Sequence, residues 1–276
     1  MIKYINIFFL LLVYLYNINT IAMPNHTITN VDNAAPIHQF LLTKNLNQDC
    51  LVIFDIDYVL IMPDDDYSLS RNAYRKQLWQ ELISTISKEE QAILSSIVKQ
   101  NATWSLMEST FKDILDLLKN HHIPTLALTS FGTGAFGVTP KLEDLRIKQL
   151  TSVGIDFNQL SPIKHTTILH HLKGEHGAPM ITSGVILTAE LDKGIVLQEI
   201  LEKSNYYPKE IIFIDDTLKN LHSVQKYCSL LQIPFSGFHY TKIDTLPKNT
   251  VNKAAEKLKM HILYTQHKWL TSEEAQ

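Results

Sequence analysis

The sequence predicts an α/β fold: a doubly wound parallel sheet with a helical cap inserted after the first core strand. Three observations predict it. Short apolar runs at 51–54, 124–130, 184–188 and 210–216 each stop at polar residues, as expected for strands of a parallel sheet buried on both faces. They alternate with stretches of helical period, the pattern of strand–helix–strand crossovers. Between the first and second runs, residues 74–120 carry more helix than a simple crossover requires. The composition agrees. A chain of 276 residues, 45% hydrophobic and 19% charged, can bury one sizeable core and carry an insertion. A net charge of -3 gives no electrostatic reason to expect a nucleic-acid partner.

Residues 1–22 differ in kind. Lys3 is their one charge, Ile5 to Tyr16 form an apolar block, and Thr20-Ile21-Ala22 ends on a small residue. This reads as a secretory signal peptide cleaved near Ala22, and it is short for a membrane span, which needs about 20 apolar residues. An uncleaved anchor is the alternative. The expectation is an exported protein, periplasmic or secreted, with no stable membrane span after cleavage. Residues 23–49 read as a polar N-terminal arm (Met23–Asn33) and a short amphipathic helix (Ala35–Asn45). Export opens two readings for Cys50 and Cys228, a disulfide or two buried thiols.

Cys50-Leu51-Val52-Ile53-Phe54 runs into Asp55 and Asp57. Ligands of open α/β sheets bind beyond the carboxyl ends of strands, where these aspartates stand. Neighbouring strand side chains alternate between faces, so the two carboxylates serve one centre only if the strand gives way to a loop here. An acidic nucleophile with an acid/base partner over a metal fits this pattern; so does a solvated acidic turn.

Residues 64–120 read as the cap. Leu78, Leu82 and Ile86 mark one helix, Ser87-Lys88-Glu89-Glu90 is a capping box opening a second, and Leu106 to Leu118 mark a third. Asp64, Asp65, Asp66, Arg71, Arg75 and Lys76 stand at its entrance, as solvated charges or with an arginine reading a substrate anion. Sequons at Asn25 and Asn101 matter only in a glycosylating host.

The second strand ends at Thr129-Ser130, before Gly132-Thr133-Gly134-Ala135-Phe136-Gly137, with Asp156 further on. This literally matches a dinucleotide-binding glycine pattern, which requires a helix beginning within the glycines. Thr139 and Pro140 instead suit the N-cap and first position of a later helix, leaving a loop beside the site. His165, His170, His171 and His176 lie in a polar stretch without cysteines, read as a surface insertion or hairpin rather than a zinc site. A strand at 184–188, Asp192-Lys193-Gly194 before a helix, and Glu210 to Asp216 follow. Thr217 then caps a helix to Leu231, ahead of a strand at 235–240. The core is thus expected over 50–63 and 121–248, with a C-terminal helix and tail at 249–276.

Asp55-x-Asp57-x-Val59-Leu60, Thr129, Lys193 and Asp215-Asp216 therefore stand in this order at successive strand ends or just beyond them. In order and residue type they resemble the four motifs of the haloacid dehalogenase-like hydrolase superfamily. The resemblance covers Leu51 to about Tyr240, and the insertion matches the position of that superfamily's first cap type. Ile211 to Asp216 followed by Asn220-Leu221, with the signal peptide, looks like an uncharacterised group of exported bacterial members.

The resemblance implies that Asp55 is a nucleophile and Asp57 a general acid/base. It implies a Mg²⁺ ion held by Asp55, the main-chain carbonyl of Asp57 and Asp216, with Asp215 behind them. Thr129 would bond a phosphoryl oxygen, and Lys193 would balance charge and orient Asp55. An acid at position 57 speaks for phosphate chemistry over the dehalogenase and ion-pumping branches. The expected activity is a Mg²⁺-dependent phosphomonoesterase acting on a small phosphorylated substrate. An interaction or effector protein that keeps the fold with little catalysis is the alternative, and a dinucleotide-binding oxidoreductase a third. Tyr58 departs from the pattern, standing where glycine is common. In the superfamily the first-motif strand adjoins the fourth-motif strand, which implies that Cys50 and Cys228 lie near enough to pair.

Overall fold

The computed structural model describes residues 25–64, 72–247 and 251–275. The signal-peptide stretch Met1–Ala22, and Asp65, Asp66 and Arg71 at the cap entrance, lie outside the described residues. In chain order the elements are β1 (His26–Val31), α1 (Ala35–Thr43), β2 (Cys50–Phe54) and β3 (Ile61–Pro63). Next come α2 (Ala73–Ile83), α3 (Lys88–Asn101), β4 (Trp104–Leu106), α4 (Thr110–Asn120) and β5 (Thr125–Thr129). After α5 (Leu142–Ser152) the chain forms β6 (Thr167–Ile168), β7 (Met180–Thr182) and β8 (Val185–Leu187). It ends with α6 (Lys193–Lys203), β9 (Glu210–Asp215), α7 (Leu218–Leu230), β10 (Phe235–Tyr240), α8 (Lys242–Thr245) and α9 (Lys253–Gln266).

The main sheet has eight strands in the order β1-β10-β9-β2-β5-β8-β7-β6. The strands from β1 to β8 in that order pair in parallel, and β8-β7-β6 close the far edge as an antiparallel meander. All the strands expected from apolar runs are present. β2 and β9 are neighbours, as the resemblance implies. Every residue of β2, β5 and β8 is buried, because helices cover both faces of the sheet. Cys50, Val52 and Phe54 pack with α1 and α4 on one face; Leu51 and Ile53 pack with α6 and α7 on the other. The polar stretch 158–183 is partly a hairpin: Ser183 and Gly184 turn β7 into β8, both with positive φ (48° and 75°).

Four expectations are corrected. The N-terminal segment 26–31 is not an arm but an edge strand paired along its length with β10. An edge strand is held by main-chain hydrogen bonds and buries little, so His-Thr-Ile-Thr-Asn carries no apolar signature. Leu106 does not begin the third helix; it ends β4, which pairs with β3 as a two-stranded ribbon at the base of the insertion. Helix α4, grouped by sequence with the cap, packs Phe111, Ile114, Leu115 and Leu118 into the main core. The cysteines are free thiols in cores on opposite faces of the sheet, because Cys50 alternates with Leu51 and points away from α7, which carries Cys228. Burial pushes both thiols up to about 12, so they behave as inert apolar groups.

The C-terminal helix completes the cap. Met260, Leu263 and Trp269 share a small core with Leu94 and Ile97 of α3. Arg75 on α2 binds Glu256 on α9 through two hydrogen bonds, at 2.6 and 2.7 Å. Both partners are buried, so this paired geometry fixes how the tail docks on the insertion.

Candidate active site

The carboxyl ends of β2, β5 and β9 and the start of α6 bring the motif residues to one edge of the sheet. Asp55 follows β2, and its Oδ1 accepts a hydrogen bond from the main-chain N–H of Ile56 (2.7 Å). After it the strand gives way to a tight loop in which Leu60 and Ile61 both donate to the Ile56 carbonyl. This break is what the Asp-x-Asp spacing requires. It also places Tyr58 at a φ of 61°, a left-handed conformation that costs a bulky L-residue energy and explains why glycine suits the position. A comparison of Tyr58→Gly with Tyr58→Ala isolates that cost, since both delete the same side chain. Tyr58→Gly is expected to be the more stable by about 0.5–1 kcal/mol in urea unfolding. Equal stabilities would mean the loop relaxes without strain.

Lys193 is the electrostatic centre of the site. Its Nζ lies 2.8 Å from Asp55 Oδ1 and 2.7 Å from Asp215 Oδ2, and it is 2% exposed. Asp192 caps α6 by accepting from Ile195 N (3.1 Å) and from the Ser223 hydroxyl. Gly194 lets α6 approach α7: a Cβ there would stand 2.4 Å from the Ser223 carbonyl oxygen. Burial favours a neutral amine, but Asp55 and Asp215 outweigh it and hold the Lys193 pKa above its ordinary value.

Asp215 is fully buried and accepts from Lys193, from Thr217 N (2.7 Å) and from the Asn220 side-chain amide (3.0 Å). Asp216 accepts from the Thr217 hydroxyl at 3.2 Å. Its main-chain oxygen receives His239 Nε2 at 3.1 Å, and His239 Nδ1 lies 2.9 Å from Asn30 Oδ1, so the unexpected edge strand β1 buttresses the site. Burial pushes the Asp55 carboxyl well above the usual range; Lys193 opposes this, and Asp215 and Asp216 add to it. Burial and then Asp215 push Asp216 up to about 6.

One carboxylate oxygen from each of Asp55, Asp215 and Asp216 can lie within 4.8 Å of the others, the one such cluster among the described residues. Three carboxylates share a single ammonium there, and hard oxygen donors short of positive charge suit a divalent cation such as Mg²⁺. The four histidines of 165–176 join no such cluster; His171 faces Glu199 and His176 stacks on Phe136. Thr129 ends β5, buried, with its hydroxyl accepting weakly from Phe131 N at 3.4 Å.

Asp57 stands apart from the carboxylate cluster. Its carboxylate takes two hydrogen bonds from Arg146 (3.0 and 2.9 Å), which is 1% exposed and stacks 4.0 Å from the Phe131 ring centroid. The resemblance did not supply this arginine. Its signal was its position: Leu142, Arg146, Gln149 and Leu150 form the buried stripe of α5, so a charge sits where an apolar residue belongs. Asp57 and Arg146 border a cavity of about 420 Å³ walled by the core, the cap helices and the C-terminal segment.

The Gly132–Gly137 loop does not carry a helix N-terminus. Helix α5 starts at Leu142, later than Thr139 and Pro140 suggested, because Thr139 is held in a turn by Phe136 and by Gln100. The Gly134 N–H that a phosphate would need donates to Glu143 at 2.7 Å.

The model of a family described as Protein of unknown function (DUF2608) matches residues 30–276. The chain belongs to the DUF2608 family. An uncharacterized protein of Rickettsia prowazekii is 25% identical over 238 residues, covering 85% of this chain and 84% of its own. A Chlamydia muridarum protein named as a candidate outer membrane protein is 33% identical over 96 residues, 34% of this chain and 37% of its own. Among solved structures, a haloacid dehalogenase-like hydrolase from Streptococcus pneumoniae is similar at 14% identity and a TM-score of 0.36, over 71% of this chain and 96% of that one. A HAD-superfamily hydrolase of subfamily IA from Geobacter sulfurreducens is similar at 13% identity and a TM-score of 0.34, over 74% of this chain and 100% of that one. The fold of this DUF2608 chain is haloacid dehalogenase-like on its own topology: motif strands β2 and β9 adjacent, β5 on the other side of β2, and a cap inserted after β2. No helix among the described residues is long and apolar enough to cross a membrane.

Proposed function

We propose that this protein is an exported, Mg²⁺-dependent phosphohydrolase that acts on a phosphate monoester through an aspartyl phosphate on Asp55. The observation that supports the reading is the Asp55–Lys193–Asp215 ion-pair chain beside Asp216, assembled from segments distant in the sequence. Export rests on the character of residues 1–22 and on the name of the Chlamydia relative.

Lys193 holds one Asp55 oxygen and balances the charge that gathers as a phosphate dianion arrives. The other Asp55 oxygen attacks phosphorus, and the bond from phosphorus to the ester oxygen breaks. Asp57 serves as the general acid of this step, passing a proton to the departing oxygen. Asp57 then takes a proton from water, the hydroxide attacks phosphorus, and inorganic phosphate leaves with Asp55 restored. Thr129 donates its hydroxyl to a phosphoryl oxygen. A divalent cation held by Asp55, Asp216 and the main-chain oxygen of Asp57, with Asp215 behind them, would neutralise phosphoryl charge and permit anion to meet anion. Arg146 keeps Asp57 oriented from the cavity wall.

The test is turnover of a panel of phosphate monoesters with Mg²⁺ and with chelator, alongside thermal unfolding. Mg²⁺-dependent release of phosphate is expected, and chelation abolishes it. In metal-free protein the raised Asp216 pKa adds stability below the ordinary 3.8 that is lost as pH rises through about 6. Mg²⁺ is therefore expected to raise Tm more at pH 7.5 than at pH 5. No turnover and no Tm shift at either pH would favour the alternative, an exported interaction protein on this fold.

A further inference from the structure

Building on the phosphohydrolase reading, we propose that the leaving group of the substrate is an aromatic ring carrying a second anionic group, bound in the cavity beside Asp57. All three tryptophans of the chain, Trp79, Trp104 and Trp269, line this one cavity. They come from α2, β4 and the C-terminal tail, so the fold gathers them from separate segments. Aromatic walls favour planar rings, which bury apolar surface and pack edge-on or offset against them. A volume of about 420 Å³ lies in the range of small-molecule sites.

The charge of the walls supplies the second part. Among the described residues Asp57 is the one acidic side chain lining the cavity, against Arg75, Lys99 and Arg146. Arg75 is committed to Glu256 and Arg146 to Asp57. Lys99 Nζ rests 5.1 Å from the Phe131 ring centroid and has no hydrogen bond or ion pair among the described residues. Burial and the neighbouring Arg146 lower its pKa by more than Asp57 and Glu190 raise it, so a further anion placed here would stabilise its charged form. The phosphoryl group in transfer is met by Lys193 and Thr129. Asp57 gives its proton to the ester oxygen, so groups lying beyond Asp57 face the leaving group, and it is there that Lys99 calls for an anion.

Kinetics with Mg²⁺ on 4-carboxyphenyl phosphate, phenyl phosphate and glycerol phosphate test this, with tryptophan fluorescence of Asp55→Asn protein reporting binding of the same esters. Expected kcat/KM falls in that order, the carboxylated ester exceeding the neutral aryl ester by about tenfold, the value of one charge-assisted hydrogen bond. Lys99→Met is expected to bring that ratio near one and Lys99→Arg to restore it. Saturable quenching should need less 4-carboxyphenyl phosphate than phenyl phosphate. Turnover with equal kcat/KM for the two aryl esters, or a ratio unmoved by Lys99→Met, overturns the inference and leaves the phosphohydrolase reading standing. Absence of turnover with Lys99-dependent quenching by the carboxylated ester supports the cavity assignment and defeats the phosphohydrolase reading instead.

Discussion

Asp55→Asn is expected to lower kcat at least about 10⁴-fold while leaving the fold intact, since removal of a nucleophile costs most of an enzyme's rate. The asparagine carbonyl can still accept from Ile56 N and from Lys193, the two partners of Asp55 Oδ1. The substitution also removes one negative charge from a crowded cluster, so Tm is expected to hold or rise. Steady-state kinetics and thermal unfolding on the same preparation separate the two effects. Retention of more than a few per cent of activity would remove Asp55 from the chemistry.

Lys193→Met is expected to damage stability as well as turnover. It leaves Asp55 and Asp215 buried without the ammonium that lies within 2.8 Å of both. Removing one partner of a buried ion pair costs about 3–5 kcal/mol. The loss should be greatest near pH 7.5 and smaller at pH 5. Asp55 and Asp216 already have raised pKa values, and without Lys193 they take up protons more readily as pH falls, relieving the repulsion. Urea unfolding at both pH values gives the comparison. A loss independent of pH would mean the lysine acts by packing rather than charge.

The parts of this molecule that were legible in the sequence are those whose signal is local. β2, β5, β8 and β9 are buried on both faces, so each is a continuous apolar run, and the polar residues ending them mark the site edge. Asp55, Lys193, Asp215 and Asp216 meet because the parallel sheet aligns those ends. What sequence reading missed is held by distant partners. β1 exists because β10, some two hundred residues later, offers it main-chain hydrogen bonds. The cap boundary failed at α4, whose apolar stripe looks alike whether it faces a cap or a sheet. The cysteine pairing failed on parity: one residue along β2 decides the face, and Cys50 shares that of Val52 rather than Leu51.

The cavity was hidden for a related reason. Arg146 and Lys99 come from different helices, and Trp269 from the tail, so no single window of sequence contains the site. Buried charges on otherwise apolar stripes were its readable trace: Arg146 on α5, and Glu256 with Lys259 on α9. Such residues carry a desolvation cost that a folded chain retains only with partners.

The central claim is covalent chemistry at Asp55. Protein mixed with a phosphate ester and Mg²⁺, quenched in acid within one turnover and digested, should yield a phosphorylated peptide spanning Cys50–Leu60. Hydroxylamine should release that phosphate, as an acyl phosphate requires. A phosphoryl group mapped to any other residue, or turnover with no trapped adduct and full activity in Asp55→Asn, would contradict the account.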